Sequence, residues 1–143
     1  MREIATISEV RDGVIAALGE RFPDFAVYEG ELPEVPVVPF FHVRPFPVTQ
    51  TREVGRRYRR TFSFDILLKA STQDELLEAA DGLLDELVYI EVDGFPCRGN
   101  GLKHEIVDGE LHVYVQYTLH LLRERQEVTR MDKLAQEGRI KDA

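Results

Sequence analysis

The residues best suited to hold a metal ion are four histidines, His42, His104, His112 and His120. His104 and His112 flank an Asp-Gly pair, and a two-residue turn there would place them on opposite faces of a hairpin. His112 and His120 would share a face but lie about 26 Å apart at 3.3 Å per residue, too far for one ion. Neither a Cys-x-x-Cys nor a His-x-x-x-His spacing is present. The sequence therefore predicts no metal site and no cofactor.

Residues for nucleophilic or acid–base catalysis are also not arranged for that chemistry. Cys97 is the single cysteine, no base is placed beside it by a recognisable motif, and we expect a small, half-buried side chain. The segment 98–101 is Arg-Gly-Asn-Gly but lacks the lysine and spacing of a phosphate-binding loop, so a tight turn is expected. The acids of the second predicted helix fit a solvated face. We therefore expect a protein without enzymatic activity.

An arginine-rich segment is the feature that most suggests a partner. The predicted interface residues are Arg52, Arg56, Arg57, Tyr58, Arg59 and Arg60. Residues 44–60 contain six arginines and one acid, a local charge of +5, so the net charge of −8 leaves −13 on the other residues. Guanidinium groups bind carboxylates and phosphates through paired hydrogen bonds. We favour salt bridges to an acidic neighbouring subunit, with a solvated loop and contact with DNA in a pore as alternatives.

Length and composition are those of one globular domain. The chain has 143 residues, of which 43% are hydrophobic, and single domains commonly span roughly 100–200 residues. The negative net charge argues against general affinity for nucleic acid. No early stretch has the pattern of a signal peptide, and no apolar run approaches the ~18 residues of a membrane span. We expect synthesis in a bacterial cytoplasm and no membrane partner.

Two amphipathic helices are predicted from apolar residues at three- and four-residue steps. The first extends from about Ile4 to Phe22, with Ser8 as a candidate N-cap unless the helix begins a few residues earlier. The second covers Gln73–Val88, and Thr72 with Glu75 forms a capping box. Its predicted buried face consists of Leu76, Leu77, Ala80, Leu83, Leu84 and Leu87.

Alternating and β-branched segments predict the strands. They cover Ala26–Glu29, Phe40–Arg44, Arg60–Lys69, Tyr89–Val92, Leu102–Val107 and Glu110–Leu122. Irregular or exposed connections are expected at 32–39, which is rich in proline, and at 48–57, and a turn is expected at 96–101. Asp108-Gly109 favours a type I′ turn between the last two strands, and we expect this long hairpin to project from a small sheet.

These elements predict an α+β fold. A small mixed or antiparallel sheet would carry the two main helices on one face and end in a long C-terminal β-hairpin. The single domain would cover residues 1–123, and residues 124–143 would form a polar C-terminal extension, a tail or short helix. Met131 and Leu134 are its predicted docking residues.

Several short motifs run through nearly the whole chain. They are Asp12-Gly13-Val14, Gly55-Arg56-Arg57-Tyr58 leading into Phe64-Asp65-Ile66, Tyr89-Ile90-Glu91, Arg98-Gly99, the hairpin residues 105–112, and Met131-Asp132-Lys133-Leu134. Together they make the sequence similar to the phage tail terminator family of tailed phages and prophages from low-GC Gram-positive bacteria. The proline-rich segment 32–39 is longer than this pattern leads us to expect.

The resemblance implies a structural virion protein that forms a ring, typically hexameric, on the head-proximal end of the tail tube. Such a ring ends tube polymerisation and offers a surface for head–tail joining or, in contractile particles, for the sheath. The implied partners are further copies of the chain, the tail tube protein, a sheath protein if the tail contracts, and head connector proteins, with non-specific DNA contact in the lumen. A head-closure adaptor and a small nucleic-acid-binding domain are the alternatives.

Overall fold

The computed structural model describes residues 6–122, which form two helices and seven strands in one mixed sheet. In chain order they are α1 (Ile7–Arg21), β1 (Ala26–Glu29), β2 (Phe40–Pro45), β3 (Thr49–Arg52), β4 (Arg57–Lys69), α2 (Gln73–Glu86), β5 (Tyr89–Val92), β6 (Phe95–Val107) and β7 (Glu110–Leu122). The sheet order is β1-β2-β4-β7-β6-β5, and β3 pairs with the beginning of β4. Strands β1 and β2 pair in parallel, and β2 pairs with β4 in antiparallel. The predicted α+β class is therefore confirmed.

Both helices pack on the same face of the sheet. The long strands β4 and β7 supply alternating apolar side chains to that face, among them Phe62, Ile66 and Val113, each 0% exposed. Val14 of α1 and Leu83 of α2 belong to the same buried cluster. The core therefore lies between the two helices and the centre of the sheet, as expected from the alternation and helical periodicity.

Helix α1 begins at Ile7, one residue before the candidate N-cap Ser8. Thr6 is the N-cap: its hydroxyl accepts a hydrogen bond from the Glu9 backbone N–H at 3.1 Å, and the Glu9 carboxylate accepts one from the Thr6 N–H at 2.9 Å. The assignment of Ser8 as cap is wrong, because Thr6 and Glu9 have the spacing of a capping box and Ser8 lies in the first turn.

Helix α2 confirms the predicted capping box of Thr72 and Glu75 but differs at its end and on its buried face. It ends at Glu86 rather than at Val88. Leu77 is 45% exposed, so its assignment to the buried face is wrong. The buried positions follow steps of three and four through Ala79 and Ala80, and Leu77 lies on the flank of that stripe.

The C-terminal hairpin has the predicted turn but is embedded in the sheet. Asp108 and Gly109 have φ values of 51° and 76°, as a type I′ turn requires, and Val107 pairs with Glu110. Strand β7 pairs with β4 on one side and β6 on the other, so the expectation of a projecting hairpin is wrong. The predicted turn at 96–101 is also wrong, because those residues belong to β6, with a bulge between positions 100 and 103.

The predicted loop 48–57 contains a strand. Thr49–Arg52 pairs with positions 58–61, and β4 begins at Arg57 rather than at Arg60. All four residues of β3 are exposed, so the segment has no apolar alternation from which a strand could be predicted. The predicted irregular segment 32–39 has neither helix nor strand, and the Val37 N–H donates to the Tyr28 hydroxyl at 3.1 Å.

Candidate assembly surface

The predicted interface residues form a β-hairpin, residues 49–60, which we call the arginine hairpin. Its turn is closed by hydrogen bonds from the Glu53 N–H to the Arg57 carbonyl at 2.9 Å and from the Arg57 N–H to the Val54 carbonyl at 3.2 Å. Gly55 has φ 69°, a conformation that favours glycine. Val54, at the tip, is 86% exposed. The tip of the hairpin thus presents one exposed apolar side chain.

The arginines divide between the two faces of this hairpin. Arg52 lies opposite Tyr58 and Arg60 lies opposite Gln50, and both pairs point to the core side of the sheet. Arg59 lies opposite Thr51 and is on the outer side. A cluster that is continuous in the sequence is therefore two-sided in space, because successive strand residues point to opposite faces.

Tyr58 and Arg60 anchor the hairpin to the body of the protein. Tyr58 is 7% exposed and lies opposite Leu121 of β7. The Arg60 guanidinium lies 5.5 Å from the ring centre of Tyr58, and its Nε donates to the Gln50 side-chain oxygen at 2.8 Å. Four side chains remain as the exposed basic surface of the hairpin: Arg52, Arg56, Arg57 and Arg59.

A second contact ties the turn to the sheet. The Glu53 carboxylate lies 3.2 Å from Nδ1 of His120 on β7. Because this contact and the buried Tyr58 hold both sides of the hairpin, its tip has a defined position relative to the core. The predicted docking residues Met131 and Leu134 lie outside the described residues.

Sequence reasoning missed a polar cluster on the outer face of the sheet, around Asp65. Asp65 is 3% exposed. Its carboxylate accepts a hydrogen bond from the Arg44 guanidinium and lies 3.1 Å from Nδ1 of His112. The three residues belong to β2, β4 and β7, so the cluster joins three adjacent strands. Within residues 6–122 no hydroxyl or thiol is within hydrogen-bonding distance of His112, so the arrangement does not supply a nucleophile. An alternating pattern with one buried aspartate among apolar residues was the available signal.

Two tyrosines have raised pKa values. Burial raises the pKa of Tyr117, whose hydroxyl donates to the Leu87 carbonyl at 2.7 Å inside the core. Desolvation and the hydrogen bond to Glu105 raise the pKa of Tyr114 on the outer face. Both phenols are therefore protonated at neutral pH and act as hydrogen-bond donors.

The cysteine and the histidines of the C-terminal hairpin are not grouped into a metal site among the described residues. Cys97 is 4% exposed, more buried than expected, and its sulfur lies 3.9 Å from the Phe95 carbonyl oxygen. His104 pairs with Val113 and His112 with Glu105, which is the predicted register. Across residues 6–122 no three histidine, cysteine or acidic side chains are grouped as metal ligands. In that same part of the chain, neither helix is long and apolar enough to cross a membrane.

Comparison with known proteins identifies the family. A family model described as phage tail terminator protein matches residues 9–129, most of the chain. The chain belongs to the phage tail terminator family. Its function is accordingly structural, within a phage tail, where it associates with other tail or virion proteins. A search of curated proteins gave no match.

Two glycines in the motifs that resemble tail terminators have a packing role. A Cβ added at Gly13 of α1 would lie 2.6 Å from the carbonyl oxygen of Glu91, and one added at Gly99 would lie 2.5 Å from that of Leu87. Real Cβ contacts are longer, so each glycine permits a close approach of two backbone segments. These motifs therefore position β5 and β6 against the helices.

Proposed function

We propose that this subunit assembles as a ring, of six copies by its resemblance to tail terminators, on the head-proximal end of a tail tube. There it stops polymerisation of the tube and provides the surface for the head connector or, in a contractile particle, for the sheath. The observation that carries the proposal is the family match over residues 9–129. The exposed arginine hairpin on an otherwise acidic chain supports it.

A closed ring of identical subunits requires two different, complementary surfaces on each copy. The charge of this chain is distributed in a way that suits such contacts. Four exposed arginines lie on one hairpin, while the whole chain has a net charge of −8. Complementary charges increase the rate and specificity of association more than the final affinity. A basic projection on an acidic body therefore favours ordered contacts between copies.

The proline-rich loop adds an apolar surface. Val35 and Val37 are 84% and 64% exposed, although the loop is held by the hydrogen bond between Val37 and Tyr28. Exposed apolar groups on a fixed backbone suit contact with another virion protein. The tail tube protein and the head connector are the partners that the proposal assigns to surfaces of this kind.

The test is to delete this chain from the system that expresses the particle and to measure tail-tube lengths by electron microscopy. Overlong tubes of irregular length are expected, because no other subunit would stop growth at that end. Restoring the chain from a plasmid is the control and should restore a single tube length. Tubes of normal length that fail to join heads would contradict the terminator function and favour the head-closure adaptor.

Contact of the arginine hairpin with DNA is a separate candidate, motivated by its exposed guanidinium groups. It predicts binding that weakens steeply with salt and is lost in the Arg56→Glu/Arg57→Glu variant. Fluorescence anisotropy with a labelled duplex measures this directly. No binding at low salt would remove the candidate and leave the hairpin to protein contacts.

A further inference from the structure

The outer surface of α2 is opposite in charge to the arginine hairpin. Four of its exposed acids are Asp74, Glu78, Asp81 and Asp85, and a fifth, Glu75, is held in the capping box. Within residues 6–122 none of these four carboxylates forms an ion pair with a lysine, arginine or histidine. They are spaced at three- and four-residue steps, so they form one continuous surface along the helix. We call this surface the acidic face.

Both surfaces include an exposed apolar side chain. Leu77 lies beside the acids of α2, on the flank of the buried stripe, and is 45% exposed. Val54 lies at the tip of the arginine hairpin, beside Arg56, and is 86% exposed. Stable protein contacts commonly combine apolar with polar groups. The two surfaces therefore match in both respects, an exposed apolar side chain and charges of opposite sign.

The two surfaces lie at opposite ends of the same long strand. Strand β4 begins at Arg57 beside the hairpin turn and ends at Lys69, shortly before α2, roughly 40 Å further along at 3.3 Å per residue. The C-terminal end of α2 lies only at the middle of the strand, because Leu87 is bonded to Tyr117, which pairs with Phe62. Within residues 6–122 no ion pair joins the arginine hairpin to the acidic face of the same copy.

We propose that the arginine hairpin of one copy docks on the acidic face of the next copy, with Val54 against Leu77. This inference rests on the proposed ring function and names the two surfaces that join its subunits. Because the surfaces differ and lie at opposite ends of the subunit, the contact is head-to-tail and repeats from copy to copy. Charge complementarity selects a second copy of this chain as the occupant of both surfaces.

Charge reversal tests the contact in whole particles. The hairpin variant is Arg56→Glu/Arg57→Glu and the helix variant is Glu78→Lys/Asp81→Lys. Each alone should lose control of tube length, because like charges would then face each other at every contact. Combining all four changes in one chain should restore the length. A matched control, Glu20→Lys/Asp24→Lys, changes the same charge at exposed residues outside both surfaces and should leave the length normal.

Co-expression of the hairpin and helix variants gives a sharper result. The reversed hairpin of one fits the reversed helix of the other, and the unchanged surfaces also fit, so the two variants should alternate around a ring. Alternation closes only with an even number of subunits, and a six-membered ring meets that condition. Restored tube length from two individually defective chains is the expected outcome. A failure to restore it would overturn the proposed contact even if each variant alone is defective.

Cysteine cross-linking reports the same contact without charge changes. Val54→Cys and Leu77→Cys in one chain should form disulfide-linked multimers in assembled particles on mild oxidation, whereas either single variant should not. The native Cys97 is 4% exposed and does not compete. A disulfide requires Cα atoms within about 7 Å, so cross-linking is specific to this pairing. The absence of multimers in assembled particles would contradict it.

The outcomes separate the two proposals. If deleting the chain leaves tube length normal, the terminator function itself fails. If deletion gives overlong tubes but both reversed variants, folded by thermal unfolding, still control length, only the docking contact fails. Overlong tubes from the Glu20→Lys/Asp24→Lys control would also overturn the docking contact, because the effect would then follow net charge rather than position.

Discussion

Two glycines of α1 should respond in opposite ways to the same substitution. A Cβ at Gly13 would lie 2.6 Å from the Glu91 carbonyl oxygen of β5, whereas a Cβ at Gly19 would meet nothing within 4 Å. In a helix interior alanine is more favourable than glycine by about 1 kcal/mol. Gly19→Ala should therefore stabilise the protein by roughly 0.5–1 kcal/mol, the usual gain at an unstrained site.

At Gly13 the same gain is opposed by overpacking. The new methyl group would also lie 3.4 Å from side-chain atoms of Ile90 and Val92, so the helix has no direction along β5 in which to relax without loss. Inserting a methyl into a packed core costs about 1–3 kcal/mol. Because the helix-propensity gain is common to both variants, the difference in their free energies of unfolding should isolate that cost. We expect Gly13→Ala to be about 1–3 kcal/mol less stable than Gly19→Ala.

Urea unfolding followed by circular dichroism measures both free energies. Equal slopes against denaturant would show that the variants differ in stability rather than in the surface exposed on unfolding. Thermal unfolding should agree, at roughly 3–4 °C per kcal/mol for a chain of this size. If Gly13→Ala were as stabilising as Gly19→Ala, α1 would not lie as close to β5 as described, and the packing argument would be refuted.

Three further changes should have measurable effects. Tyr117→Phe should lower the free energy of unfolding by about 1 kcal/mol at neutral pH, because the Leu87 carbonyl loses a buried donor. Because burial raises the pKa of Tyr117, its hydroxyl contributes fully to the free energy of unfolding below about pH 10, and this contribution is lost as the pH rises further. Between about pH 9 and 11 the free energy of unfolding should therefore fall less steeply in Tyr117→Phe than in wild type. Asp65→Asn should cost roughly 1–3 kcal/mol in urea unfolding by weakening bonds to its arginine and histidine partners, and an unchanged midpoint would contradict this. Removing residues 123–143 should leave cooperative unfolding, because few of those residues are apolar; a broad transition would show that they belong to the folding unit.

The helices were the most predictable part of the fold, because both capping boxes are written in the sequence. The capping box of Thr72 and Glu75 is confirmed, and Thr6 and Glu9 have the same three-residue spacing, which fits the earlier helix start rather than a cap at Ser8. The error at Leu77 has a different origin. The hydrophobic side chain of Leu77 predicts a position in the core, but it lies on the flank of the buried stripe and is exposed.

Strands were predictable only where one face is apolar. Apolar side chains occupy every second position over residues 62–68, and the strand predicted there is confirmed. Thr49–Arg52 is polar on both faces, so its sequence predicts a loop. Strand β3 is held by backbone hydrogen bonds to β4. The pattern of its side chains does not predict this pairing. The segment 95–101 was missed for a related reason, since its proline and glycines are characteristic of turns and its strand is interrupted by a bulge.

The sequence does not show which arginines of the basic segment are exposed. Arg44 and Arg60 both belong to that segment, residues 44–60, in the sequence. In the structure Arg44 is bonded to the buried Asp65, and Arg60 lies against the Tyr58 ring, so neither adds to the exposed surface of the hairpin. The charge offered to a partner is that of four exposed arginines.

That smaller number makes the proposed contact between copies more specific. Arg52 and Arg59 point to opposite faces of the hairpin, so only some of its four exposed arginines can meet the acids of α2 in one contact. Exposed ion pairs each contribute little, about 0–1 kcal/mol, and are screened by salt. The apolar pair Val54 and Leu77 must therefore supply much of the affinity, while the charges select orientation and partner. It follows that Leu77→Ala should weaken assembly with little dependence on salt, whereas the effect of Arg57→Glu should diminish as the salt concentration rises.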